Sequence, residues 1–311
     1  MDVTQLGIST AWNARGVADG RKIVDQVVNL GFSRLEVDYR VREEAVAGIV
    51  EAVEAGRIEV TSVHNFAPLF RHDKPSFCDG DKLPLSSLDA DERVEAVRLT
   101  RISLDLAQRL GAKALVLHTG QVDGIGRAWF DELCEAVKNH GVKSHNASVL
   151  RDDLRVKREA GRKAHVDAVI RSLTELIPFA EAAGVTLCIE NRYFYHQIAI
   201  TEDVLRIKEE FPSPWVGYWH DLGHAHVMEV LGFEPHLEAL DRLKGHLYGM
   251  HIHDSNFVKD HVAPGTGEID FAQVLGRAPA DALKILEISA SVSEDEIREG
   301  VEYLRNLPLA P

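Results

Sequence analysis

The chain has 311 residues, 45% hydrophobic and 27% charged, with a net charge of −14. That is the composition of an ordinary globular protein, and the length suits one large domain over 1–311, since α/β barrels run to roughly 200 residues or more as single units. The acidic balance argues against a nucleic-acid partner, which calls for a basic footprint, and favours solubility.

No apolar run reaches the length of a membrane span. The N-terminal MDVTQLGIST lacks the basic region and long apolar stretch of a secretory leader, so the expectation is a cytoplasmic protein. Cys78, Cys134 and Cys188 form no CxxC pair and no zinc-finger spacing, and a disulfide framework is not expected. Cys188 falls in a predicted strand and reads as a small buried hydrophobe.

Strands and helices alternate along the chain. Predicted strands are Leu6–Thr10, Arg34–Val37, Val60–His64, Ala114–His118, Val185–Glu190, Val216–Asp221, Leu247–His253 and Leu283–Ile288. Between them, Ala18–Leu30 and Glu43–Ala55 carry apolar residues at helical spacing and stop at Gly31 and Gly56. Leu88–Leu110 starts at an aspartate-rich turn and stops at Gly111. Arg158–Ala183 stops at Gly184, and Pro178 should kink it. Thr201–Phe211 has Thr201 as its N-cap and Pro212 behind it, and Ser293–Asn306 opens with the capping box SEDE. Two segments exceed ordinary loop length: Pro68 to Leu88 after the third strand, and Gly120 to about Lys157 after the fourth, the latter with a helix near Arg127–Asn139. The pattern predicts a single α/β domain, a (β/α)8 TIM barrel with long loops after strands 3 and 4. An open doubly wound sheet should show a glycine-rich phosphate loop after its first strand, and LGISTAWNARG has none.

Strand parity then selects residues. In Val185–Glu190 the set Val185, Leu187 and Ile189 faces the helices, which turns Thr186, Cys188 and Glu190 into the barrel. The same alternation points Glu36, His64, His118, Asp221, His251 and Glu287 inward at or near strand C-termini, where barrel active sites form. Glu190, Asp221, His224, His251 and Glu287 are hard or borderline donors, and their convergence predicts a divalent-metal site. The bland alternative is buried ion pairing, but no basic partner stands beside each strand end. For His224 it is a hydrogen bond at a helix start, and for His64 and His118 a packing or substrate contact. His220 has outward parity and reads as structural, whereas His226, His236 and His246 read as solvated. The GTG of Pro264–Glu268 reads as a turn.

The motifs SVHNFAP, ALVLHTG, IENR, HDLGHAH, MHIHDSN, HVAPGTGEIDF and LEIS, in this order over nearly the whole chain, resemble the xylose isomerase-like TIM-barrel superfamily. That group includes sugar phosphate isomerases/epimerases and the endonuclease IV type of apurinic endonuclease (AP endonuclease family 2). The resemblance implies one ion held by Glu190, Asp221, His251 and Glu287, with Glu190 and Glu287 also catalytic. It implies an isomerase or epimerase of a small sugar, sugar phosphate or polyol-derived ketone, in which an enediolate forms between two opposed glutamates. Mn, Co, Mg and Zn all suit such a mixed oxygen and nitrogen set. His64, His118, His224 and His261 match positions that bind further zinc ions in the endonuclease branch, so a second zinc and a phosphoester hydrolase stand as the alternative to substrate contact, and His224 also matches a substrate-binding position of the epimerases. Lys259 departs from that branch, which places an aspartate there, and this weakens a third zinc. An inosose-type dehydratase would use the same enediolate, and a sugar-binding barrel with a structural metal is the non-enzymatic reading. For substrate contacts the candidates are Trp12, Arg192, His253 and Glu36, with Arg71 and Lys259 weaker anion binders. Barrels of the superfamily are often dimers or tetramers, which leaves a homo-oligomer open.

Overall fold

The computed structural model describes residues 1–69 and 83–308, so Arg71 and Cys78 lie outside the described residues. Eight parallel strands close into a barrel: β1 (Leu6–Ser9), β2 (Arg34–Val37), β3 (Glu59–His64), β4 (Ala114–Leu117), β5 (Thr186–Glu190), β6 (Val216–Asp221), β7 (Leu247–Ile252) and β8 (Leu283–Leu286). Each pairs with its neighbour in chain order, and β1 closes the ring on β8 through Leu6–Lys284, Gly7–Ile285 and Ile8–Leu286. This is the (β/α)8 barrel that the alternation predicts, with strand ends displaced by one or two residues.

The helices are α1 (Gly20–Asn29), α2 (Glu43–Glu54), α3 (Ala90–Leu110), α4 (Ala128–His140), α5 (His145–Ala183), α6 (Thr201–Glu210), α7 (Leu222–Val230), α8 (His236–Leu243), α9 (Phe271–Leu275) and α10 (Glu294–Arg305). Their starts follow from the sequence: Asp89 accepts from the Asp91 and Glu92 amides ahead of α3, and Ser293 and Glu296 cap α10 reciprocally. At the end of α5, Gly184 takes a left-handed φ of 67°, which a side chain would disfavour. No described helix is long and apolar enough to cross a membrane.

The outward faces of the strands pack on the helices in one apolar cluster that includes Ile8, Leu35, Val63, Leu117, Leu187, Ile189 and Ile252. The inward faces build a separate plug below the mouth from Ala114, Val116, Cys188, Trp219 and Ile285. Trp219 fills this floor because β7 presents Gly249 to it, where an added Cβ would overlap the indole. Above this floor the inward ends of the same strands are polar.

The segment after β4 departs from expectation. Instead of a long loop to about Lys157, α5 starts at His145, capped by Ser144, and forms a hairpin with α4. The added turns carry little apolar periodicity. They are held by ion pairs such as Lys157–Asp153 and Arg155–Asp152, and by Arg151 Nη1 donating to the Leu231 carbonyl at 3.2 Å. Helix α5 continues through Pro178. Farther in, buried Arg158 pairs with buried Asp203 and donates to the Tyr195 and Gln197 carbonyls, tying α5 to the chain that follows β5.

Candidate metal centre

Every inward strand end at the barrel mouth is polar. Glu36 lies on β2, His64 ends β3, Glu190 ends β5, Asp221 ends β6 and His251 lies on β7. His118 and Glu287 directly follow β4 and β8. Glu190, Asp221, His251 and Glu287 offer four donor atoms within 4.8 Å of one another, all on buried residues. His251 Nδ1 sits at their centre, 2.7 Å from Glu190 Oε1, 2.9 Å from Glu287 Oε2 and 3.6 Å from Asp221 Oδ2. Two further groups share these carboxylates: His64 and His118 with Glu190, and His224 and His261 with Asp221.

The neighbours fix which nitrogen each imidazole turns inward. His251 Nε2 donates to Glu36 at 3.0 Å, and Glu36 is itself held by Ser62 Oγ at 2.8 Å, so Nδ1 faces the cluster. His64 Nδ1 reaches the Asn65 carbonyl at 3.1 Å, which turns Nε2 inward. His224 Nδ1 reaches the Asn191 carbonyl at 3.0 Å, which turns Nε2 toward Asp260. Metal-binding imidazoles are held through their second nitrogen in this way. Asp221 is steadied from both sides: Asn191 bonds its backbone amide and carbonyl, and His253 Nε2 donates to its carboxylate at 2.9 Å. The His261 amide donates to His253 Nδ1 at 2.9 Å, which leaves the ring proton on Nε2. His253 comes this close to α7 because residue 223 is glycine; an added Cβ would overlap its ring.

Electrostatics bear on what the group can hold. Burial alone would raise the carboxyls of Glu190, Asp221 and Glu287, yet adjacent imidazoles keep all three well below the usual carboxylate range. Burial opposes charge on His251 and His261, but the carboxylates around them raise both well above the ordinary histidine value. Burial likewise opposes charge on His64, where the bond to Glu190 and its charge prevail and push the value up to about 9. Apart from the imidazoles, Arg192 pairs with these carboxylates, at 3.1 Å from Glu190. The acidic charge must otherwise be balanced by protons on imidazoles or by a cation that replaces them. Convergent buried oxygens with one well-oriented imidazole fit a divalent ion.

The residues singled out for substrate contact are all largely buried. Glu36 is fully buried beneath His251 and orients it. His253 is fully buried and orients Asp221. Arg192 is 6% exposed and pairs with Glu190 at 3.1 Å. Trp12 packs in the outer core, its indole N–H donating to the Val292 carbonyl at 2.8 Å. Sequence reasoning passed over Asp260, whose carboxylate lies 3.1 Å from His261 Nδ1 and 3.7 Å from His224 Nε2. It supplies acidity beside these histidines where Lys259 does not. The signal was the adjacent pair Asp260–His261, but the ribbon Lys259–Val262, antiparallel to Asp254–Asn256, that presents it cannot be inferred from strand parity in the barrel. In the same ribbon Asp254 accepts from the amides of Ser255, Gly265, Gly267 and Ile269, so the GTG segment is a carboxylate-organised turn.

His220 is buried on the outer side of β6, in contact with Tyr218 Oη at 2.7 Å and His236 Nε2 at 2.9 Å. His236, expected in solvent, is 4% exposed, and His226 is buried as well. The spacing of α8 hides this, because a histidine at a helix start reads as surface until the neighbouring strand supplies a partner.

A family described as xylose isomerase-like TIM barrel matches residues 24–307. Among solved structures, a D-tagatose 3-epimerase-like protein is 18% identical, with a TM-score of 0.68 over 97% of this chain and 96% of that one. The apo 3-keto-D-glucoside 4-epimerase of E. coli is 16% identical, with a TM-score of 0.67 over 97% and 98%. A D-psicose 3-epimerase from Clostridium cellulolyticum H10, solved with D-tagatose, is 16% identical, with a TM-score of 0.67 over 98% and 99%. No curated protein sequence matches the chain. At these identities the likeness to solved structures establishes the shared barrel.

Proposed function

This chain belongs to the xylose isomerase-like TIM-barrel family, and from that premise we propose that it is a divalent-metal-dependent isomerase or epimerase of a small ketose, sugar phosphate or related polyol ketone. The observation that carries the reading is the convergence of Glu190, Asp221, His251 and Glu287 within 4.8 Å at the barrel mouth. The structural neighbours named above as epimerases of ketoses and a keto-glycoside support the same substrate class.

An ion held by these four side chains would supply Lewis acidity toward a substrate carbonyl. The chain's own residues do the rest. Glu190 and Glu287 come from strands three apart in the ring and reach the mouth from different sides. One, as a carboxylate, would accept the weakly acidic C–H proton beside the carbonyl, and the other, in its protonated form, would deliver a proton to the opposite face. Asp221 and His251 hold position, each fixed by a buried partner, His253 and Glu36. The apolar floor around Trp219 closes the barrel beneath the site.

Metal content per chain, measured by elemental mass spectrometry on protein purified without chelator, tests the reading together with a ketose panel. One ion of manganese, cobalt, magnesium or zinc, with epimerisation or isomerisation of a ketose, is the expected result. The groups His64–His118–Glu190 and Asp221–His224–His261 favour a second reading, a phosphoester hydrolase with more than one zinc. Two or more zinc ions per chain with incision of abasic-site DNA would replace the first reading by the second.

A further inference from the structure

A cavity of about 320 Å³ opens beside the metal-donor cluster, and its lining is divided by charge. One part is formed by Glu287, Asp260 and His261, and another by Arg15 and Arg40. In a chain of net charge −14, two guanidiniums at the rim of an acidic cluster need a reason.

Arg40 is built into place. Its Nη1 donates to Asp38 at 2.8 Å, and the same carboxylate accepts from the Arg40 amide at 2.8 Å. Asp38 is fully buried, and its own amide is held by Thr10 Oγ1 at 2.8 Å. The Arg40 guanidinium lies 4.2 Å from the centre of the Tyr39 ring, which packs edge-on against His64. An arginine fixed by a buried carboxylate and an aromatic face still has donors left in its fork, already oriented. Arg15 has no ion-pair partner among the described residues and is exposed. Asp38 pairs with Arg40, whereas the positive charge of Arg15 is left without such a pair among the described residues. A neutral sugar makes no demand for this pairing, whereas a planar carboxylate or a phosphate matches it.

Resting on the metal-dependent isomerase reading, we propose that Arg15 and Arg40 clamp an anionic group carried by the substrate, a carboxylate or a phosphate, while its ketose portion reaches the donor cluster. The substrate class is then an acidic ketose: a keto-uronate or a ketose phosphate.

The test is titration calorimetry of the full chain loaded with manganese, using D-fructose, D-fructose 6-phosphate and D-fructuronate. One anion should bind about tenfold or more tighter than fructose, in line with charge-assisted bonding to an oriented guanidinium. Preference for the ester identifies phosphate as the anion, and preference for the uronate identifies carboxylate. In Arg15→Gln, a change at an exposed position, the ratio of anion to fructose affinity should fall toward one. In Arg40→Lys, which keeps a counterion for Asp38 but loses the fork, the ratio should fall partway. The proposal is overturned if fructose binds as tightly as both anions, if neither anion binds, or if the preference survives Arg15→Gln. Exchange of substrate C–H protons in heavy water, followed by NMR, separates the two readings. Arginine-dependent anion binding without exchange removes the isomerase and keeps the clamp. Exchange of neutral ketoses without anion preference does the reverse.

Discussion

The barrel mouth and the outer side of β6 bury the same residue type to the same depth and hold it in opposite states. His251 and His236 are 0% and 4% exposed. Burial disfavours charge on both, yet the carboxylates around His251 lift it well above the ordinary histidine value, while His236, facing His220 and the Tyr218 side, is held well below it. His220 itself is pushed down to about 4 by burial. Burial pushes both imidazoles toward the neutral form, and at the mouth the surrounding carboxylates outweigh it. At the mouth those neighbours are anionic oxygens turned toward one another, an arrangement that calls for cations. Behind β6 the rings of His220 and His236 bond to each other and His220 to Tyr218, and the histidines act as packing groups with hydrogen-bonding ends.

The comparison breaks most sharply at the glutamates. Glu190→Gln or Glu287→Gln should lower turnover by about 10²- to 10⁴-fold, with unchanged circular dichroism. Full turnover in either variant would remove the acid/base assignment. Glu36→Gln should weaken metal binding by about 10- to 100-fold, read by competition with a chromogenic chelator, because it loosens the bond that aims His251. His236→Phe should leave metal affinity unchanged; a matching loss there would show that the two regions are not independent. Chelation should lower the melting temperature of the wild-type chain by several degrees, about 2.7 kcal/mol when free metal stands at 100 times its dissociation constant. The smallest effect concerns pH. Because the folded state keeps His236 neutral and the unfolded state protonates it near its ordinary value, the stability it contributes is present above about pH 6.5 and fades as pH falls. Between pH 7.5 and 5.5 the wild type should lose up to about 1.4 kcal/mol more than His236→Phe in urea unfolding. Equal losses would show that His236 is not held neutral.

Much of this architecture is legible in the sequence because a barrel strand encodes two things at once. Its apolar run marks it as buried, and its last inward residue marks the mouth. Leu187 and Ile189 against Cys188 and Glu190 illustrate both, since the first pair enters the outer core and Cys188 joins the floor beneath Glu190. What could not be read lies where parity has no authority. Asp260 sits on a ribbon outside the barrel, Arg40 and Asp38 just beyond the end of β2, and the first turns of α5 are held by ion pairs instead of an apolar stripe. His236 was misplaced for a related reason: its partner, His220, lies on a different element 16 positions away.

Gly223 turns this geometry into a warning for protein engineering. It lies in the first turn of α7, and replacing a helical glycine by alanine ordinarily gains about 1 kcal/mol. Here the new methyl would meet the ring of His253, the group that holds the Asp221 carboxylate. A thermostability screen that filled helical glycines would strike the carboxylate and imidazole cluster at the barrel mouth from behind, through a residue that is not part of it.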